Sequence, residues 1–346
     1  MLQINNLKDL IKVIMIKSFI NRVNGRLKYT YNRFRDDLHF SFNYACFRTL
    51  DELGGRVGLK RISAWAHDKK DQWIINHLNV SLAPIIEKYQ NNCNCGTSIP
   101  NSPIWVCWWT GEETAPLLIK QCIHSIRCNS GSHPVNLITQ SNYKEYLNIP
   151  THIIQKVNDG TMCLANFSDY LRFSLLATYG GLWLDATIFC RASLPDEYFT
   201  APIFTCKGIV GTGKYISNYR WTSFCFGGYS GHLLFKYMQD AFDEYWKKHS
   251  VAIDYLLVDY IIATAYNNIP AIRQDLDSVP INNPQRDMLQ EAMNAGLPAS
   301  QFDTVVQQET WIYKLSWRET YNETATDGTQ SVYGHFIHSD ICSRIN

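Results

Sequence analysis

Apolar residues recur at helical spacing along much of the chain, and at one place the spacing changes abruptly. Leu171, Leu175, Leu176 and Tyr179 fall on one helical stripe, Gly180-Gly181 follows, and Leu182-Trp183-Leu184 is an unbroken apolar run that ends at Asp185. The stripe predicts a helix over 166–179, the glycine pair its C-terminal stop, and the run a short buried strand. An acid at the tip of such a strand is costly unless something uses it. Asp169 and Arg172 stand three residues apart, so they share a helix face. They form either a plain ion pair or a carboxylate and a guanidinium held near the carboxyl mouth of the strand, where open α/β sheets bind ligands.

The same patterning orders the rest of the chain. Leu7, Leu10, Ile11 and Ile14 predict an amphipathic helix bordered by Lys8, Lys12 and Lys17. From about 51 to 90 the spacing stays helical, with Pro84 placed to cap, kink or divide it. The stretch 91–103 is crowded with Asn, Cys, Gly, Ser and Pro and reads as a connecting loop. Ile104 to Trp109 is β-favouring, Leu117 to Arg127 helical, and Val135 to Thr139 β-favouring again. Strand, helix, strand in that order argues for a parallel α/β sheet. Residues 202–226 alternate between strand and loop, 233–248 and 253–266 are helical, and 311–315 and 332–338 read as strands or extended segments. The boundary expected from these patterns separates a helical extension, 1–100, from an α/β domain, 101–346.

Composition narrows the choice of partner. Lys plus Arg number 32 against 31 acids, a net charge of +1, so nothing favours nucleic acid. Charge is unevenly spread: residues 1–35 carry eight Lys or Arg and one acid, Asp9. That basic helix could lie on an anionic membrane surface or pack on its own domain with a solvated flank. The 11 cysteines are scattered apart from Cys93 and Cys95, show no zinc-knuckle spacing, and suggest a reducing compartment. With no secretory signal and no apolar run of spanning length, the expectation is a cytoplasmic protein, with peripheral membrane contact through the basic helix. The sequon Asn166-Phe167-Ser168 inside the central helix agrees. A near P-loop, Gly208 to Lys214, has Tyr215 where Ser or Thr must hold magnesium, and reads better as a glycine-rich turn.

Ser168-Asp169-x-x-Arg172 followed by Tyr179-Gly180-Gly181-x-Trp183-x-Asp185-x-Thr187 resembles the capsular polysaccharide synthesis proteins, relatives of the family 32 glycosyltransferases with a DXD sugar-binding motif. The likeness covers 104–191 well and the C-terminal third loosely. It implies a GT-A-like, Rossmann-like α/β fold, with a mixed, mainly parallel sheet flanked by helices. It also implies transfer of a sugar from a nucleotide-sugar donor to a glycan or lipid-linked glycan acceptor in capsular or surface polysaccharide synthesis, with retention of configuration. The other reading is a non-catalytic carbohydrate or nucleotide-sugar binding protein on the same fold.

The resemblance also assigns residues. Trp108-Trp109-Thr110-Gly111 resembles the family's first motif, which implies base stacking by Trp109, with Trp108 as the alternative register; a flat indole suits that role. Asp169, Arg172, Asp185 and Lys314 join Trp109 as donor-binding candidates. Asp185 and Arg172 are the catalytic candidates, with Asp259, set in an apolar helical run, on the acceptor side. Asp185, Thr187 and a late histidine such as His335 would hold Mn²⁺ or Mg²⁺, although Thr187 replaces the second carboxylate of DXD with a weaker neutral ligand. A surface role for His335 and His338 is the simpler alternative.

Overall fold

A computed structural model describes residues 25–93, 96–97, 99–211, 213, 215–297 and 309–338. The amphipathic helix expected around Leu7 to Ile14 lies outside these residues, as do Cys95, Thr212 and Lys214. The chain divides into two compact units, Met1–His77 and Leu78–Asn346.

The first unit is helical. After a helix over 25–37 (α1), α2 spans Phe42–Arg56 and α3 runs from Lys60 to Ser81, past the end of the unit. Ser41 caps α2 by accepting from the Tyr44 N–H at 3.2 Å. Buried Tyr44 stacks on Trp73 with ring centres 4.9 Å apart.

The second unit starts at Leu78. Pro84 stands in the first turn of α4 (Ala83–Tyr89), so it divides the long helical stretch, as one of its expected roles allowed. The Tyr89 hydroxyl donates to Asp240 at 2.7 Å and Lys248 donates to the Ser81 carbonyl at 2.8 Å. These bonds, with buried Leu78, Leu82 and Ile86, tie the end of the helical stretch to the α/β unit.

β1 (Ile104–Cys107), α5 (Leu117–Cys128) and β2 (Val135–Ile138) form the expected parallel unit. The short helices α6 (Tyr143–Tyr146) and α7 (Thr151–Asn158) lead to α8 (Leu164–Tyr179) and β3 (Gly181–Leu184). β4 (Ile188–Cys190), α9 (Glu197–Thr200), β5 (Ile203–Thr205) and β6 (Cys225–Gly228) follow. Then come α10 (Leu233–Lys248), α11 (Leu257–Asn268), α12 (Pro270–Ser278), α13 (Met288–Ala292), β7 (Ile312–Lys314) and α14 (Val332–His338). The main sheet has the order β2-β1-β3-β6-β5. β1 pairs parallel with β2 and β3, and β6 alone runs against the rest, antiparallel to β3 and β5. β4 and β7 pair antiparallel as a separate ribbon. Among the described residues, no helix is long and apolar enough to cross a membrane.

Alternation along the strands sorts side chains between two layers. Ile104, Val106, Leu182 and Leu184 join the cluster that contains the α5 residues Leu118, Ile119, Cys122 and Ile123. Trp105, Trp183 and Phe226 are also buried; Trp105 donates to the Gly180 carbonyl at 2.9 Å, and Phe226 meets Phe173 of α8. The glycine pair is a steric necessity. Gly180 and Gly181 have φ of 66° and 92°, and a Cβ at Gly181 would sit 2.1 Å from the Pro103 carbonyl oxygen.

Two expectations are corrected. Residues 332–338 form a helix, because the Ser331 hydroxyl accepts from the Gly334 N–H at 3.0 Å and starts a helical turn. Cys128 is disulfide-bonded, so the reading of scattered thiols fails at that position.

Candidate functional site

The helix α8 is buried on almost every side, from Asn166 to Ala177, rather than along one apolar stripe. Its two charged residues are therefore inside the protein: the side chains of Arg172 and Asp169 keep 4% and 11% of their surface exposed. Burial of charge at that level requires pairing. Arg172 supplies it in both directions, donating from Nη1 to Asp169 Oδ1 at 2.6 Å and from Nη2 to Asp185 Oδ1 at 3.0 Å. The helix residue and the strand-end residue thus meet, as their spacing predicted.

The meeting follows from the period of a strand. Trp183 and Asp185 are two residues apart and point the same way, toward α8. The indole N–H of Trp183 donates to Asp185 Oδ1 at 2.9 Å, and the Arg172 guanidinium lies over the Trp183 ring, 5.0 Å from its centre. The chain then turns, with the Ile188 N–H bonded to the Asp185 carbonyl at 2.9 Å. Asp185 remains open to solvent over 27% of its side chain.

The fourth charged group comes from far along the chain. Lys314 ends β7, where its backbone pairs with Ile188 of β4, just beyond the Asp185-Ala186-Thr187 turn. Backbone bonds fix it there: the Lys314 N–H donates to the Arg286 carbonyl at 2.8 Å and the Leu315 N–H to the Thr187 carbonyl at 2.9 Å. The Lys314 ammonium lies 3.4 Å from Asp185 Oδ2, donates to the Thr187 hydroxyl, and sits 5.5 Å from the centre of the Phe224 ring.

These contacts set the charge state. Burial acts to raise the Asp185 pKa, but Lys314, Arg172 and the Trp183 N–H outweigh it and hold the carboxyl below its ordinary value. Asp169 goes the other way. Burial, with the nearby Asp185 and Asp259 carboxyls, exceeds the pull of Arg172 and pushes it up to about 7. Buried Asp259, on α11, is pushed up to about 6 by burial, against the help of the Trp221 indole that donates to its Oδ1 at 2.9 Å. The thiol of Cys107, at the end of β1, is pushed up to about 12 by burial and is no nucleophile at neutral pH.

Of the residues singled out from sequence, Asp169, Arg172, Asp185, Thr187 and Lys314 come together, and Asp259 joins at the buried end. Trp109 follows β1, the parallel neighbour of β3, so it and Asp185 both lie past the carboxyl ends of adjacent strands. Its half-buried ring meets Phe167 of α8 edge-on at 5.1 Å and Tyr143 at 5.4 Å. Trp108 instead meets Trp317 edge-on at 5.6 Å. His335, on α14, has its Nε2 2.7 Å from the Leu297 carbonyl and is not brought to Asp185 and Thr187 by any contact described. Among the described residues no three His, Cys, Asp or Glu side chains gather in a way that could hold a metal ion. The donor set at the turn does not fit a divalent cation, since Lys314 stands between one carboxylate oxygen and one hydroxyl. Sequence reasoning missed the polar role of Trp183, which the two-residue step to Asp185 could have signalled, and that of Trp221, for which no local pattern exists.

A buried guanidinium linking two carboxylates, one of them partly exposed at a strand tip, and a neighbouring ammonium can hold an anionic, hydroxyl-bearing ligand. Over residues 57–336 the chain matches the capsular polysaccharide synthesis protein family. The chain belongs to that family. No curated protein is significantly similar to it. Among solved structures it is similar to one described as "PaToxG Glycosyltransferase", at 15% identity and a TM-score of 0.37, over 64% of this chain and 90% of that one, a likeness too distant to bear on function.

Proposed function

We propose that this capsular polysaccharide synthesis family member is a glycosyltransferase on a GT-A-like fold, moving a sugar from a nucleotide-sugar donor to a glycan or lipid-linked glycan acceptor. The observation that carries the reading is the solvent-reaching Asp185, held at a strand tip between Arg172 and Lys314. Sugar transfer breaks the anomeric C–O bond while negative charge builds on the departing diphosphate, so fixed cations must stand where that oxygen leaves. Lys314 is exposed enough to meet it. Arg172, shared by two carboxylates, holds Asp185 in place, and Asp185 and Asp169 can accept from sugar hydroxyls. Trp109, half-buried against Phe167 and Tyr143, offers an indole to the base.

Release of free nucleoside diphosphate from a panel of nucleotide sugars, with candidate acceptors, tests the reading. Turnover by the wild type that is lost in Asp185→Ala is expected. Tight donor binding with no turnover for any donor and acceptor would instead support a non-catalytic nucleotide-sugar binding protein.

A further inference from the structure

We infer that Lys314 occupies the place a divalent metal would take, so that the Asp185-Ala186-Thr187 turn anchors an ammonium group and the reaction needs no metal ion. This rests on the proposed sugar transfer. A metal bound at the turn would need the outward oxygens of Asp185 and Thr187. Both face Lys314: Asp185 Oδ2 lies 3.4 Å from its Nζ, and the Thr187 hydroxyl accepts from it. The other carboxylate oxygen, Oδ1, already accepts from Arg172 and Trp183.

The arrangement is built rather than incidental. Lys314 is 129 residues from Asp185 in the chain, and three pairings place it: β7 with β4, its own N–H with Arg286, and the Leu315 N–H with Thr187. Its side chain still keeps 28% of its surface exposed, which leaves ammonium protons free to reach a ligand. Thr187 also fits this role better than an acid would. A second carboxylate would add a negative charge to a turn that one ammonium already balances, whereas a hydroxyl accepts a hydrogen bond at no cost in charge.

The step then balances without a metal. The anomeric C–O bond to the diphosphate breaks and its electron pair leaves on the phosphate oxygen, which Lys314 neutralises by charge and hydrogen bonding. The acceptor oxygen bonds to the anomeric carbon, and the acceptor's proton passes to the departing diphosphate. Lys314 keeps its own proton throughout.

Two measurements on the wild-type protein and one on a variant test this. Turnover of the active nucleotide sugar is expected to change less than about twofold between excess EDTA and added Mn²⁺. In Mn²⁺ electron paramagnetic resonance titrations, the protein with nucleoside diphosphate is expected to remove no more free Mn²⁺ than the nucleotide does alone. Lys314→Met is expected to lower kcat by about 10²–10³, the usual cost of losing one group aimed at developing negative charge. Turnover abolished by EDTA and restored by Mn²⁺, a stoichiometric Mn²⁺ site, or a Lys314→Met enzyme with wild-type kcat would each overturn the inference while leaving sugar transfer intact. Absence of turnover under every metal condition would overturn the transferase reading itself.

Discussion

Arg172 joins two regions that treat a carboxyl group in opposite ways. On the outer side, Asp185 has two cations and an indole N–H around it, keeps 27% of its side chain exposed, and stays ionised. On the inner side, Asp169 has the same guanidinium but is more deeply buried, with a second acid, Asp259, close enough to raise it further. One arginine cannot offset burial and two carboxylates together. Charge is therefore fixed at the solvent-reaching carboxyl and adjustable at the buried pair, with Asp169 and Asp259 pushed up to about 7 and about 6.

Removing the shared residue should break both sides. Arg172→Met leaves Asp169 without its cation and should cost about 3–5 kcal/mol of unfolding free energy, read from urea denaturation at neutral pH. A loss below about 1 kcal/mol would mean the two sides do not depend on it. Next, Asp185→Asn keeps the shape but removes the charge that holds Lys314, and should lower turnover by about 10²–10³ with the fold retained. Nucleoside diphosphate release beside a thermal melt checks this, and wild-type turnover would show that the outer carboxylate is dispensable.

Asp169→Asn sharpens the comparison through pH. In the wild type, the folded-state pKa near 7 lies above the ordinary 3.8, so the native state holds more protons between these values and stability falls as pH rises through that window. Asp259 adds a slope of the same sign up to about 6. Asparagine cannot titrate, so melting temperature against pH should flatten in the variant, most clearly between 6 and 7; an unchanged profile would place the titration elsewhere. Asp185 works with the opposite sign, losing stability only as pH falls through its lowered value. The smallest effect belongs to Trp183→Phe, which keeps the ring under Arg172 and deletes one hydrogen bond to a charged group. It should cost about 1–3 kcal/mol in the same denaturation experiment, and a neutral result would mean that Arg172 and Lys314 suffice to hold Asp185.

Local signals were strong in the central segment. The glycine pair marked the end of α8, the apolar run marked β3, and the three-residue spacing of Asp169 and Arg172 put both on one face. Signals weakened where distant contacts decide. Val332 to His338 reads as an extended segment, yet the Ser331 cap makes it a helix, which carries His335 to the Leu297 carbonyl. Residues 91–103 have loop composition, but the helical turns before them pack on α10, which composition cannot show.

The sequence by itself determined the helix, the tight turn, the strand and the acid at its tip, because helical and strand periods and glycine's access to positive φ act over a few residues. It also determined that Arg172 and Asp185 could share a side. Only the tertiary structure decided what completes the group: β7 pairing with β4 brings Lys314 across 129 residues to Asp185 and Thr187. A lysine's place in a pocket is set by backbone pairing between distant segments, and no short-range pattern carries that information.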